Sequence, residues 1–129
     1  MTSDPRSASD PLPSPALDAL AVARLRELDP TGQHGVVVRV MATYDASLRR
    51  MLGQLEAERG NPSPAVVSGI AHTLKSSSAS VGALALATAC AAVEARLRAG
   101  EHATLGADID LLLAEGQAAL RAVAPMLQP

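Results

Sequence analysis

The chain is 129 residues long and 48% apolar, with a single aromatic side chain, Tyr44, and a formal net charge of −2. That length supports one domain with a modest core, and a core of Leu, Val, Ile, Met and Ala favours closely packed helices over a sheet. The charge balance, with no basic run longer than Arg49-Arg50, argues against nucleic acid as a main partner, and no uninterrupted apolar stretch approaches the ~18–20 residues that cross a bilayer.

Residues 1–14 are rich in Ser, Pro and Asp and are expected to form a disordered tail, leaving 15–129 as the folded domain. The start Met1-Thr2-Ser3-Asp4-Pro5 has neither the basic region nor the apolar core of a signal peptide. Pro15, after Ser14, is placed to open a short helix that ends before Pro30. A longer helix is predicted from about Gln33 to Arg59, with Val37, Val40/Met41, Tyr44, Leu48, Met51/Leu52 and Leu55 as its inward stripe. Gly60-Asn61-Pro62 stops it, and Ser63-Pro64 opens the next helix, over about 64–81. A fourth runs from about Ala83 to Ala99, with Leu86, Cys90, Val93 and Leu97 on one stripe; a fifth spans about 105–127, with Leu105, Ile109, Leu112, Gly116, Leu120 and Val123 inward. Short connections make successive helices antiparallel neighbours. The expected fold is therefore all-α, an antiparallel up-down four-helix bundle with a short extra N-terminal helix at one end. The lone cysteine, Cys90, excludes an internal disulfide, reads as a buried small hydrophobe and fits a reducing cytoplasm.

The segment 71–82 is the part of the chain best suited to chemistry. With Ile70 as the zero of a helical wheel at about 100° per residue, Val67, Leu74, Ser77 and Val81 fall within roughly 60° of it and define an inward face. His72 lands near 200°, beside Ser68 and Ala79, with Lys75 and Ser76 as its neighbours three and four residues on. The imidazole thus faces outward, next to a cation and among small side chains at 68, 69, 76 and 79, where large ones would block a docking protein. A neutral imidazole nitrogen is a nucleophile, and an ammonium beside it pairs well with phosphoryl oxygens after transfer. By itself such a pair is common on helix surfaces and carries little weight. His34 and His102 are distant in sequence, and no HExxH or paired-cysteine spacing exists, so no metal site is expected. Nor is there a Gly-rich phosphate loop or a GxSxG elbow with which to bind ATP or acylate a serine.

The run His72-Thr73-Leu74-Lys75-Ser76-Ser77-Ser78-Ala79-Ser80-Val81-Gly82 resembles the signature of the histidine-containing phosphotransfer (Hpt) domains of bacterial and fungal phosphorelays. In that signature a histidine is followed by apolar-Lys-Gly/Ser, small residues, and a glycine ten positions on. The similarity continues through Ala83-Leu84 to Cys90 and Glu94, and by helix number and spacing it covers about 16–127. The resemblance implies that His72 is phosphorylated through its solvent-facing nitrogen, that Lys75 stabilises the phosphoryl group and that Gly82 makes the tight helix-to-helix turn. Glu94 stands where the family often has a polar side chain, frequently an amide, bonded to the other histidine nitrogen; an exposed helix residue without that role is the alternative reading of Glu94. If the chain reverses near Gly82, His72 and Glu94 lie roughly 15 and 18 Å from the turn, nearly level. Ser76, where a glycine is commonest, and Glu94 in place of an amide are the two departures.

The resemblance further implies a phosphoryl carrier and not an enzyme with its own kinase machinery. It would accept the group from a receiver-domain aspartate and pass it to another receiver, of a response regulator or a hybrid histidine kinase. No cofactor would be bound by this chain, with Mg²⁺ expected in the partner receiver. The docking surface would be centred on Ser68, Gly69, His72, Ser76 and Ala79, extended by the solvent-facing edge of the 33–59 helix. A monomeric, cytoplasmic, free-standing protein is the corresponding expectation. Two other readings stay open: the phosphorylation domain of a chemotaxis-type histidine kinase, and a non-catalytic helical adaptor with an incidental histidine. A histidine-kinase dimerisation domain fits less well, because Thr73 and Lys75 do not match its His-Glu and Arg-Thr-Pro pattern.

Overall fold

In the computed structural model, which describes residues 17–128, the chain is all-helical, with five α-helices, a terminal 3₁₀ turn and no strand among the described residues. They are α1 (Ala19–Glu27), α2 (Val36–Glu58), α3 (Pro64–Val81), α4 (Leu84–Arg98) and α5 (Leu105–Val123), followed by the turn Ala124–Leu127. The expected tail over 1–14 and the expected helix start at Pro15 fall outside the described residues.

The boundaries follow from local chemistry. Helix α1 begins at Ala19, because Asp18 is extended and its carboxylate accepts from the Ala21 amide as an N-cap. Residues 17 and 18 are thus not helical, unlike the expectation of a helix running on from Pro15. Helix α2 starts at Val36 and not near Gln33. Gly35 is left-handed there, and the buried Asp29 carboxylate accepts from the amides of His34 and Val36, which fixes the preceding loop. Ser63 caps α3 through its hydroxyl, with Pro64 in the first turn. The fifth helix gives way to the 3₁₀ turn at Ala124, next to Pro125, which has no amide hydrogen to continue an α-helical ladder.

The core is aliphatic. Met41, Leu48, Leu55, Val67, Leu74, Leu86, Val93, Ile109 and Leu112 are completely or almost completely buried. The α2 stripe expected from sequence turns inward, as do Leu86, Cys90, Val93 and Leu97 of α4 and the whole expected stripe of α5. Helix α3 packs most extensively on α4, while α2 contacts α3 and α5, and α4 contacts α5. One inward assignment is wrong. Ser78, not Ser77, is buried in α3, because its hydroxyl pairs with the Tyr44 hydroxyl of α2 at 2.8 Å. A buried hydroxyl needs such a partner, and Tyr44, pushed up to about 12 by burial, stays neutral.

Gly82 joins α3 to α4 at φ +87°, a left-handed conformation that side chains rarely adopt. A Cβ there would sit 2.9 Å from the Asp18 amide nitrogen, whose hydrogen bond to the Gly82 carbonyl measures 2.7 Å. The turn that sets α3 against α4 therefore also seats α1. Gly82→Ala is expected to lower unfolding free energy by about 1–3 kcal/mol. Gly53→Ala, at a helical glycine with open space around it, should raise it by about 0.5–1 kcal/mol. Chemical denaturation of the two variants checks both signs.

Candidate functional site

His72 and Lys75 lie one turn apart on α3, and Glu94 lies two-thirds of the way along α4. The tight reversal at Gly82 brings them level. The His72 side chain is 62% exposed, whereas that of Glu94 is only 4% exposed. The two meet through Nδ1 of His72 and Oε2 of Glu94 at 2.8 Å. Lys75 Nζ donates to Glu94 Oε1 at 2.7 Å, and Arg98, one turn further along α4, donates through Nη2 to Oε2 at 2.8 Å.

A buried carboxylate is tolerated when its charge is paired and its lone pairs are filled. The hydrogen bond from Lys75 is the largest influence holding Glu94 below the usual carboxylate range. Burial acts against it, and His72 and Arg98 add to it. An ionised carboxylate only accepts, so Nδ1 of His72 carries the proton in this contact. The lone pair of the neutral ring is then on Nε2, which has no hydrogen-bond partner among the described residues. The arrangement presents an exposed nucleophilic nitrogen in a fixed orientation, with two cations on the same carboxylate.

Around His72, Gly69, Ser76 and Ala79 are exposed and Ser68 is half-buried. A Cβ added at Gly69 would meet nothing within 4 Å, so the fold itself makes no demand for a small residue there. Beside Gly69, a groove of about 310 Å³ runs between α2 and α3, lined among others by Arg50, Met51, Gln54, Val66 and Thr73. A larger cavity, of about 610 Å³, lies by the loop before α2, around Arg26, His34, Arg39 and Met126. It shares no residue with the surroundings of His72. No group of three or more His, Cys, Asp or Glu side chains suited to a metal ion comes together among the described residues. No helix among them is long and apolar enough to cross a membrane.

A family model described as the Hpt domain matches residues 39–123, well over half of the chain and all of the helices that build the site except the first turn of α2. The chain belongs to the Hpt domain family. The fold of this Hpt protein is similar to the crystal structure of histidine-containing phosphotransfer protein B (HptB) from Pseudomonas aeruginosa PAO1. The TM-score is 0.72 at 23% identity, over 88% of this chain and 96% of that one. No curated protein matches.

Sequence reasoning missed Arg98. It lies four residues after Glu94, the spacing at which helix side chains meet, so the signal was present. It also missed the groove residues of α2, because which edge of that helix borders α3 is set by tertiary packing.

The depressed Glu94 pKa fixes a sign. Stabilisation by the network is complete above the unfolded carboxylate range and is lost as the pH falls through the lower folded-state value. Glu94→Gln should therefore be less stable than wild type at neutral pH, because Lys75 and Arg98 lose their charged acceptor, and the gap should close only as the pH falls into and below the carboxylate range. Urea unfolding from neutral pH down to about pH 3 measures it; a gap independent of pH contradicts the assignment.

Proposed function

We propose that this Hpt protein carries a phosphoryl group on Nε2 of His72, taking it from the phosphorylated aspartate of one receiver domain and passing it to the aspartate of another. Histidine phosphotransfer in a phosphorelay is the work of the family, and the family's proteins are carriers and not kinases. The observation that carries the assignment to this residue is the 2.8 Å contact of Nδ1 with the buried Glu94, which leaves the opposite ring nitrogen as the exposed nucleophile.

In the forward step the Nε2 lone pair attacks phosphorus in line with the departing aspartate oxygen. The P–N bond forms as the acyl-phosphate P–O bond breaks, and the aspartate leaves as carboxylate. Lys75, already close to the ring, is placed to pair with phosphoryl oxygens that approach from solvent. Mg²⁺, expected in the receiver, supplies charge neutralisation on the transferring group. The work left to this chain is positioning, in keeping with its lack of a nucleotide-binding motif.

The partner surface is centred on Ser68, Gly69, Ser76 and Ala79, and the groove with Arg50, Met51 and Gln54 extends it onto α2. The four long helices run up and down, each antiparallel to the one before. In support, Leu52 lies against Gly116 while Arg59, about two turns further on at the C-cap of α2, pairs with Asp110, earlier on α5. A bundle closed in this way is expected to be monomeric.

Incubation with a phosphorylated receiver should give acid-labile, alkali-stable label on the wild type and none on His72→Gln with its fold intact. Label acquired only from a separate ATP-binding kinase domain would instead favour the chemotaxis-type reading. No label from any donor would favour the adaptor. Gly69→Leu separates docking from folding: stability should hold or rise by up to about 1 kcal/mol, while transfer from the receiver slows about tenfold or more. Unchanged transfer would move the docking surface elsewhere.

A further inference from the structure

The acceptor on Nδ1 is a carboxylate, and this has a consequence for the phosphorylated state. When Nε2 of an Nδ1–H imidazole forms its bond to phosphorus, the ring becomes a phosphoimidazolium that still holds the Nδ1 proton. A neutral acceptor gives that proton modest support. A carboxylate in direct contact supports it more strongly, because a charge-assisted hydrogen bond is about twice as strong as a neutral one. We infer that Glu94 keeps Nδ1 of phosphorylated His72 protonated, so that the phosphoryl group stays labile and transfers onward without any proton having to move. The inference rests on the phosphoryl-carrier reading of His72.

In onward transfer a carboxylate attacks phosphorus, the P–N bond breaks and its electron pair returns to Nε2. If Nδ1 has kept its proton, the leaving group is a neutral imidazole. If Nδ1 has lost it, the leaving group is an imidazolide anion, a far poorer one unless a proton arrives from elsewhere. Hydrolysis follows the same rule with water as the attacking group.

The charges around the ring favour retention. Helix α3 presents His72 and Lys75 to Glu94, while α4 presents Arg98 and the nearby thiol of Cys90, which burial pushes up to about 12 and leaves neutral. No ion pair reaches Glu94 from α2 or α5 among the described residues. The two cations oppose a third positive charge, but both bond the carboxylate and not the ring. Once loaded, the phosphoryl group adds negative charge of its own beside them. Glu94 is thus a positioning residue that also sets the lifetime of the loaded state.

The test loads His72 chemically with a small-molecule phosphoramidate, in a background where the other exposed histidines are replaced (His34→Gln, His102→Gln): Nε2 attacks phosphorus and ammonia leaves. Loss of the group is then followed from about pH 6 to 10 in wild type and Glu94→Gln, with circular dichroism confirming that both are folded. Near pH 8, wild type should lose its phosphoryl group about fivefold faster than Glu94→Gln, and alkaline stabilisation of the P–N bond should set in at higher pH in wild type. Superimposable profiles, or a longer-lived wild type, would overturn the inference.

A second measurement needs no variant. Nitrogen-15 shifts of loaded wild type should show Nδ1 keeping its proton to higher pH in the folded protein than in the same chain in urea; equal titrations would also overturn it. Because loading is chemical, a protein that shows these profiles but passes nothing to any receiver would contradict the carrier reading alone.

Discussion

A charged carboxylate in the interior of a small helical protein is the constraint around which the site is arranged. Glu94 is nearly inaccessible, and a charge so placed is tolerable only when hydrogen-bonded cations and donors surround it. Lys75 and His72 reach it from α3, and Arg98 from its own helix. Each of these side chains is itself partly or largely exposed. The carboxylate therefore converts a buried anchor into a fixed orientation at the surface. What solvent and partners meet is one nitrogen of an imidazole held from behind.

Such a contact needs α3 and α4 at close quarters and in one register. Three features set them there. Gly82 permits the tight left-handed turn, and the Asp18 backbone packs against it so closely that no side chain fits. The Tyr44–Ser78 hydroxyl pair fixes α3 against α2 from the other side. Small buried residues on the facing helices, among them Ala71, Ala89 and Cys90, leave room for close approach. The folding requirements and the site requirements thus meet in the same short segment, from His72 to Gly82.

Much of this was legible in the sequence. The α2 stripe through Met41, Tyr44, Leu48, Leu52 and Leu55 is regular enough to give both the helix and its buried face. The outward place of His72 follows from the same wheel, since the buried set of α3 centres roughly 50° from Ile70 and His72 lies far from it. That offset also explains the error at Ser77: a zero set on Ile70 brings 77 inward and pushes 78 to the edge, and only Tyr44, on another helix, explains why a serine is buried there. Glu94 sits one turn after Cys90 and one before Leu97, so its inward side was available from periodicity, and the length of the helices placed it level with His72. The starts of α1 and α2 were not legible. Both depend on a single aspartate choosing a backbone amide, Asp18 its own helix's first turn and Asp29 the loop before the next.

The central claim is that the carboxylate behind the ring decides which nitrogen is the nucleophile. Nitrogen-15 and proton NMR of the neutral, unphosphorylated His72 ring test it most directly. A protonated Nδ1 with a bare Nε2 is the tautomer this arrangement predicts. A ring protonated on Nε2 would mean that Glu94 does not hold the imidazole as described, and would contradict the account.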